Sequence, residues 1–492
     1  MTVYHIAPDG SDSNSGSKSE PFATFEPVSE KGSHPASPDD TIKVHGGTIS
    51  IDAGQTGVFW DVPGLTVEAY DDQTPVIDAT SFKDRSSSNI DSKPILWFGR
   101  SENATVRGLE IANAPAAPVR FEMTGMDATY PFSSVDDMKI GGYVVDCTFH
   151  HCGMGLKFTM GRGGVAERVE SYGNFGPLDE SLGSTVGGDS DGIVYTTSPS
   201  ASEPHRGGAV IGCSLHHNSD DGVDLFRATG VLIRDSVAYS NGYMLDGTKA
   251  GEAPGKGFKI GGTDSDFDTG GSVVYRCAAW DNGAPGIGLN GANLPCDIWN
   301  CTLFGNARVR GGDKDIELYT VAGPSGELSH RSTLYNNVTE LGVWPHETAL
   351  DADRVKNNNF GVSGAVQTAF RDFDFVSVET DSASNPTDWS TFLQLNDGSI
   401  AIDSGTDTPT ETSAKGEYGV QVPITFEGSI PDLGAYEYVA TQTDTSTPAA
   451  EYGGYSQPQA GTLDWHIPMN ENFAAIEEDI KDLARRIENL EG

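Results

Sequence analysis

Residues 213–226 read Cys213-Ser-Leu-His-His-Asn218-Ser-Asp220-Asp221-Gly222-Val223-Asp224-Leu225-Phe226. The first six residues of this stretch have relatives elsewhere in the chain. Cys147-Thr-Phe-His-His-Cys152, Val169-Glu-Ser-Tyr-Gly-Asn174, Ser236-Val-Ala-Tyr-Ser-Asn241, Cys277-Ala-Ala-Trp-Asp-Asn282, Cys301-Thr-Leu-Phe-Gly-Asn306 and Ser332-Thr-Leu-Tyr-Asn-Asn337 share its pattern. Taken in order, the seven copies start 22, 44, 23, 41, 24 and 31 residues apart, which gives a period of about 22 with insertions and one coil of weak signature. Short alternating strands at such a period, with Asn at the turns, are what a solenoid of parallel strands produces, because one coil cannot close its own core and must stack on the next. The leucine-rich alternative lacks its Leu-x-x-Leu-x-Leu signature. The pattern therefore predicts an all-β right-handed parallel β-helix, with the first residue of each copy buried and the Asn side chains hydrogen-bonded in a ladder at one corner.

The second half of the stretch carries the chemistry. Val223-Asp224-Leu225 and Phe258-Lys259-Ile260 each place one charged residue between two apolar ones, the mark of a strand with one buried face. Four residues beyond Asn218 and Asn282 come Gly222-Val-Asp224 and Gly286-Ile-Gly288, with Gly257-Phe-Lys259 between them. Asp224, Lys259 and Gly288 then share one outward row over three successive coils, and Gly288 leaves room for a ligand to lie against the backbone. Asp191-Gly-Ile-Val194 aligns with Asp221-Gly-Val-Asp224, which puts Asp191 one coil from Asp221. Asp191, Asp220, Asp221 and Asp224 converge, and like carboxylates this close repel unless a cation sits among them. Oxygen-only ligation without His or Cys points to calcium.

The chain has 492 residues, 60 of them glycine, and 37% apolar residues, enough for a large core with many turns. A net charge of −40 spread over the whole length resembles a halophile's surface, tolerated where molar salt screens it. The absence of a basic stripe argues against nucleic acid as a partner. No apolar run reaches membrane-spanning length, and Met1–Gly10 shows no export signal, so delivery without a leader, as a mature form or a virion component, is expected. Cys147, Cys213, Cys277 and Cys301 fall at the small buried position and need no disulfide, although Cys296 and Cys301 are close enough in sequence to pair. His150-His151 and His216-His217 lie beside the repeat's turn, which favours solvated or ladder-bonded imidazoles over metal ligands. Asp264-Ser-Asp-Phe-Asp-Thr-Gly270 lacks the later Glu of a helix-loop-helix calcium site and reads as a solvated loop.

The Asn-Ser-Asp-Asp-Gly-Val-Asp-Leu-Phe stretch followed by Gly257-Phe-Lys-Ile-Gly-Gly262 resembles the family 9 polysaccharide lyases, calcium-dependent pectate lyases built on a right-handed parallel β-helix. Tyr4-His-Ile-Ala-Pro-Asp-Gly10, Pro21-Phe-Ala-Thr24 and Asp40-Thr-Ile-Lys-Val44 look like that family's first coil, and Pro431-Asp-Leu-Gly-Ala-Tyr-Glu-Tyr438 like a closing coil. By position the resemblance makes Asp191, Asp220, Asp221 and Asp224 the calcium ligands and Lys259 the Brønsted base. Asp189 competes with Asp191 as ligand. Lys256 competes with Lys259 as base, although it aligns with Asp221 rather than with the outward row. The implied reaction is β-elimination of a uronate polymer. Calcium neutralises the sugar carboxylate and stabilises the enolate-like intermediate, while the lysine takes the C5 proton. The alternative for the cluster is calcium that only knits the coils together.

After residue 440 the composition becomes that of a linker. Phe473, Ile476, Ile480, Leu483, Ile487 and Leu490 then form a continuous a/d seam, and Arg486-Ile-Glu-Asn-Leu-Glu491 resembles the motif of short trimeric coiled coils. The expected organisation is an N-terminal cap with the first coils (1–110), the main β-helix with the site (111–440), a linker (441–461), and a connector with a short α-helical coiled coil (462–492) that makes a homotrimer. A leaderless acidic β-helix with a C-terminal trimeriser looks like a viral tailspike or tail fibre acting outside the cell on an acidic surface polysaccharide of a halophilic host. Other virion tail proteins are then possible partners. A virion adhesin without turnover and a free secreted lyase are the alternatives.

Overall fold

The computed structural model describes residues 1–51, 58–80, 94–122, 141–176, 187–198, 201–251, 253–262, 268–308, 314–319, 332–344, 352–360, 395, 399, 401–406 and 431–436. The linker, the coiled-coil segment and Asp264–Phe267 lie outside the described residues. Among the described residues three parallel sheets of 12, 10 and 10 strands run side by side, and successive turns of the chain add a strand to each, which makes a parallel β-helix. Pairing is continuous from Val3–Ile6, which lies beside Thr41–Val44, to Val355–Lys356. Among the described residues no helix is long and apolar enough to cross a membrane.

The repeat signature explains the coil. In Cys213-Ser-Leu-His-His-Asn218, Cys213, Leu215 and Asn218 are buried, and His217 adopts a left-handed backbone that turns the corner. His151, Gly173, Ser240, Asp281 and Gly305 do the same in their copies. The first residue of every copy is buried, as expected. The asparagine ladder is also present. Asn174 Nδ2 donates to Asn218 Oδ1, Asn218 to Asn241, Asn241 to Asn282 and Asn282 to Asn306, at 2.8–3.0 Å, and Asn306 ends the ladder on the buried Asp315. Inside the coils Phe98, Phe121, Phe158 and Tyr195 stack in register with centroids 4.7–5.4 Å apart, and Trp60 packs tilted on Phe98 at 5.3 Å.

Several expectations are corrected. The 44- and 41-residue intervals hold no weak coil. Glu170 pairs directly with Ser214 and Val237 with Ala278, so each interval is one coil with a long insertion. The seventh copy is out of phase: Thr333–Tyr335 pairs with Asp297–Trp299, and Asn337 stacks under Cys301. At that corner Cys301 holds the place of Asn337 one coil earlier, and the pattern matches because Asn enters this place at Asn337 and stays at Asn358. All six cysteines are free and buried, with no Cys296–Cys301 bridge.

Residues 431–436 do not add a closing coil but lie across the flanks of the coils. Gly434 N–H donates to Asn336 O, Ala435 N–H to Thr302 Oγ1, and Ala435 packs on Tyr239, Ala278 and Trp280. The paired histidines belong to an outer stack, His150–Tyr172–His216–Tyr239–Trp280, with centroids 4.5–5.0 Å apart. Their neighbouring Nδ1 atoms lie 2.7 and 2.9 Å apart, the distance of a hydrogen bond between complementary tautomers.

Candidate metal and lysine site

The site lies on the 10-stranded sheet whose strands include Ile193–Thr196, Val223–Asp224, Phe258–Lys259, Ile287–Gly288 and Ile316–Glu317. Registers Asp224↔Lys259 and Lys259↔Gly288 give the outward row read from the sequence, and Val194↔Asp224 sets Asp191 beside Asp221. Val223, Leu225, Phe258 and Ile260 point into the core and fix which way the charged residues face.

Asp191, Asp220 and Asp221 are buried, and one carboxylate oxygen from each lies within 4.8 Å of the others. A backbone N–H group holds one oxygen of each carboxylate. Asp221 N–H donates to Asp191 Oδ1 at 2.9 Å, Lys256 N–H to Asp221 Oδ1 at 2.6 Å, and Asp189 N–H to Asp220 Oδ2 at 3.1 Å. Asp220 Oδ1 and Asp221 Oδ2 are buried and make no hydrogen bond. A carboxylate oxygen at this depth is costly unless a cation meets it; Asp221 Oδ2 has only the Lys259 amine at 3.3 Å and Asp220 Oδ1 has no ion pair among the described residues, and an all-oxygen donor set fits calcium. Asp189 contributes its backbone only, and its residue is exposed.

Asp224 stands beside this group. Its Oδ1 accepts Phe226 N–H at 2.7 Å and its Oδ2 accepts from Lys259 Nζ at 3.0 Å. Lys259 Nζ also lies 3.3 Å from Asp221 Oδ2, an ion pair without hydrogen-bond geometry, and faces the Phe226 ring at 5.5 Å. Burial and the neighbouring carboxylates raise Asp191 well above the usual carboxylate range, and burial with Asp221 pushes Asp220 up to about 8. Burial also raises Asp224 against the pull of Lys259. Burial alone would lower Lys259, but Asp224, Asp221, Asp220 and Asp191 together hold it well above an ordinary lysine. The ammonium is the cluster's counter-cation in this arrangement.

One expectation at the site is corrected. Gly288 does not present open backbone, because the Lys256 side chain lies across it toward Asn290 and Glu317. Sequence reasoning missed Asn290 and Glu317. Extending the alignment to Asp315-Ile-Glu317-Leu318 would have found Glu317, which pairs in register with Gly288.

A family model described as Pel9A-like, right handed beta helix region, matches residues 4–315. Pectate lyase L of Dickeya dadantii is 25% identical over 451 residues, covering 88% of this chain and 90% of that protein. The crystal structure of pectate lyase Pel9A superposes with a TM-score of 0.62 at 22% identity, covering 89% of this chain and 96% of the other. A rhamnogalacturonan lyase structure gives 0.53 at 18% identity, with coverages of 80% and 97%.

Proposed function

The chain belongs to the Pel9A-like right-handed β-helix family, and from that premise we propose that it cleaves an acidic, uronate-containing polysaccharide by calcium-dependent β-elimination. Asp191, Asp220, Asp221 and Asp224 hold the metal and Lys259 is the base. The observation that carries this reading is the buried Asp220 oxygen that makes no hydrogen bond, next to an Asp221 oxygen that meets only the Lys259 amine. When bound, calcium neutralises the uronate carboxylate, which acidifies the adjacent C5–H, and it takes over the aspartates that hold Lys259 protonated. Lys259, as the free amine, removes the C5 proton. The electron pair forms the C4–C5 double bond, the C4–O4 bond breaks, and O4 leaves as a hydroxyl with a proton from solvent water.

The relatives' names, pectate lyase and rhamnogalacturonan lyase, support an acidic polysaccharide as substrate. The finer setting is a homotrimeric tail fibre or tailspike, acting outside the cell on the surface glycan of a halophilic host. It is supported by the a/d seam from Phe473 to Leu490 and the net charge of −40. An adhesin without turnover is the second reading, favoured by one observation: the Lys259 amine is engaged by Asp224 at 3.0 Å and Asp221 at 3.3 Å.

Ultraviolet detection of unsaturated ends tests the reading. Wild type with calcium yields them from a polyuronate, and chelation abolishes the signal. Lys259→Ala keeps calcium and glycan binding and loses on the order of 10²-fold or more in kcat, the scale of a proton-transfer catalyst. Asp224→Ala loses binding and product together. Binding in calcium without product from any acidic polymer establishes the adhesin instead.

A further inference from the structure

Gly288 follows Lys259 in the outward row, and its place is taken by a side chain from elsewhere. A Cβ on Gly288 would lie 2.8 Å from both Cδ and Cε of Lys256 and 3.0 Å from Glu317 Oε2. Gly288 is not in the left-handed region, so the missing side chain makes room and not a turn. Lys256 begins level with Asp221, where its backbone N–H anchors the metal-binding carboxylate, and its chain then passes over Gly288. Its Nζ ends 3.2 Å from Asn290 Oδ1 and 3.8 Å from Glu317 Oε2. Two lysine side chains therefore lie on this face of the sheet. The Lys256 side chain is 7% exposed and that of Lys259 is 14% exposed, so the two sit at similar depth.

We propose that Lys256 is a specificity residue: its ammonium receives the carboxylate of the sugar next to the one that Lys259 deprotonates, so the site selects acids on two consecutive sugars. This rests on the lyase reading above. Stacked strands are about 4.8 Å apart, comparable to one sugar residue in an extended glycan, so the place one strand beyond Lys259 belongs to the neighbouring sugar. Asn290 takes one of the three ammonium donors, and Glu317 stands beyond hydrogen-bond distance. An incoming carboxylate then gains a short, charge-assisted hydrogen bond from a cation whose burial is already arranged. The side chain's path explains why position 288 is glycine.

The test uses the full chain in calcium and two polymers, one with uronates throughout and one with uronates alternating with neutral sugars. Lys256→Met is expected to lower the preference for the homouronan, measured as the ratio of kcat/KM values, about ten-fold and through KM. Gly288→Ala, which keeps the lysine but fills its resting place, is expected to do the same. Glu317→Gln, which removes the competing anion, is expected to lower KM on the homouronan. A loss in kcat with KM unchanged overturns the proposal and puts the ammonium in the bond-breaking step. Equal KM changes on both polymers also overturn it. Thermal melting of each variant separates misfolding from lost recognition. If the wild type yields no unsaturated product, the lyase reading fails, and calorimetry with oligouronates in calcium then decides this proposal. A ten-fold weakening by Lys256→Met sustains it and an unchanged affinity overturns it.

Discussion

A Cβ placed on Gly222 would lie 2.6 Å from the carbonyl oxygen of Gly257, one coil further on. The same spacing recurs from Gly192 to Gly222 and from Gly257 to Gly286, so the corner just before the site is a column of glycines packed against the asparagine ladder. The contact is backbone to side chain and has no flexible partner to give way. Gly222→Ala must push apart the coils that carry Asp221 and Lys256. Overpacking of this kind costs about 1–3 kcal/mol. The expected outcome is a lower denaturation midpoint and at least about ten-fold weaker calcium binding by calorimetry, from a residue that touches no metal.

The ladder itself predicts a larger loss. Asn241 accepts from Asn218 N–H and Nδ2 and donates to Leu215 O and Asn282 Oδ1. Asn241→Ala strands several buried polar groups at once, each costing about 1–3 kcal/mol, so a total near 3–5 kcal/mol is expected in denaturant unfolding. Asn241→Asp turns a buried carboxylate toward two acceptors, Leu215 O and Asn282 Oδ1, and is expected to cost at least as much as alanine.

His205 gives the fold an acid limit. It is buried, with its ring nitrogen Nε2 3.0 Å from Gly163 O, and burial lowers its pKa to about 4. The unfolded chain protonates this histidine near the ordinary value of about 6.5. Its contribution is therefore complete above about pH 6.5, and falls away as pH drops through about 4. The shift corresponds to roughly 3 kcal/mol at most. The difference in stability between wild type and His205→Gln, measured at several pH values, is expected to narrow between pH 6.5 and 4.

Light scattering in high salt tests the assembly expected from the a/d seam. The full chain is expected at three times the mass of one chain, and a chain cut near residue 440 mostly as monomer. A monomeric full chain removes the coiled-coil reading. Lowering the salt of the same samples from molar to about 0.1 M lengthens the screening distance, so a surface adapted to salt is expected to melt at lower temperature.

The coil and the row of charges were legible because both follow from periodicity. An inward residue every second place and an Asn at a fixed offset leave Asp224, Lys259 and Gly288 no choice of face. The phase of Ser332–Asn337 was not legible, because Asn337 takes at the other corner the place that Cys301 holds one coil earlier, and a copy of the pattern carries no mark of which corner it turns. Nor was the number of coils in the long intervals, because Gly242–Gly255 is an insertion inside the coil of Lys259, and length alone does not separate an insertion from a turn of the helix. The path of Lys256 depends on the space that Gly288 leaves and on where Asn290 and Glu317 stand, relations that cross coils and have no period.

Residues 431–436 lie across the flanks of four coils, touching Asn300 and Asn336, then Thr302, then Trp280 and Tyr239. A plain stack of coils can fray from its open end, each turn peeling away once the one beyond it has gone. A strand of chain sewn across four turns removes that route, because the last coils cannot loosen until the stitch is released. Cutting the chain at residue 430 would then change how the molecule comes apart as well as how stable it is. One abrupt unfolding would be replaced by progressive loss from the C-terminal coils, and hydrogen exchange would show protection graded from coil to coil.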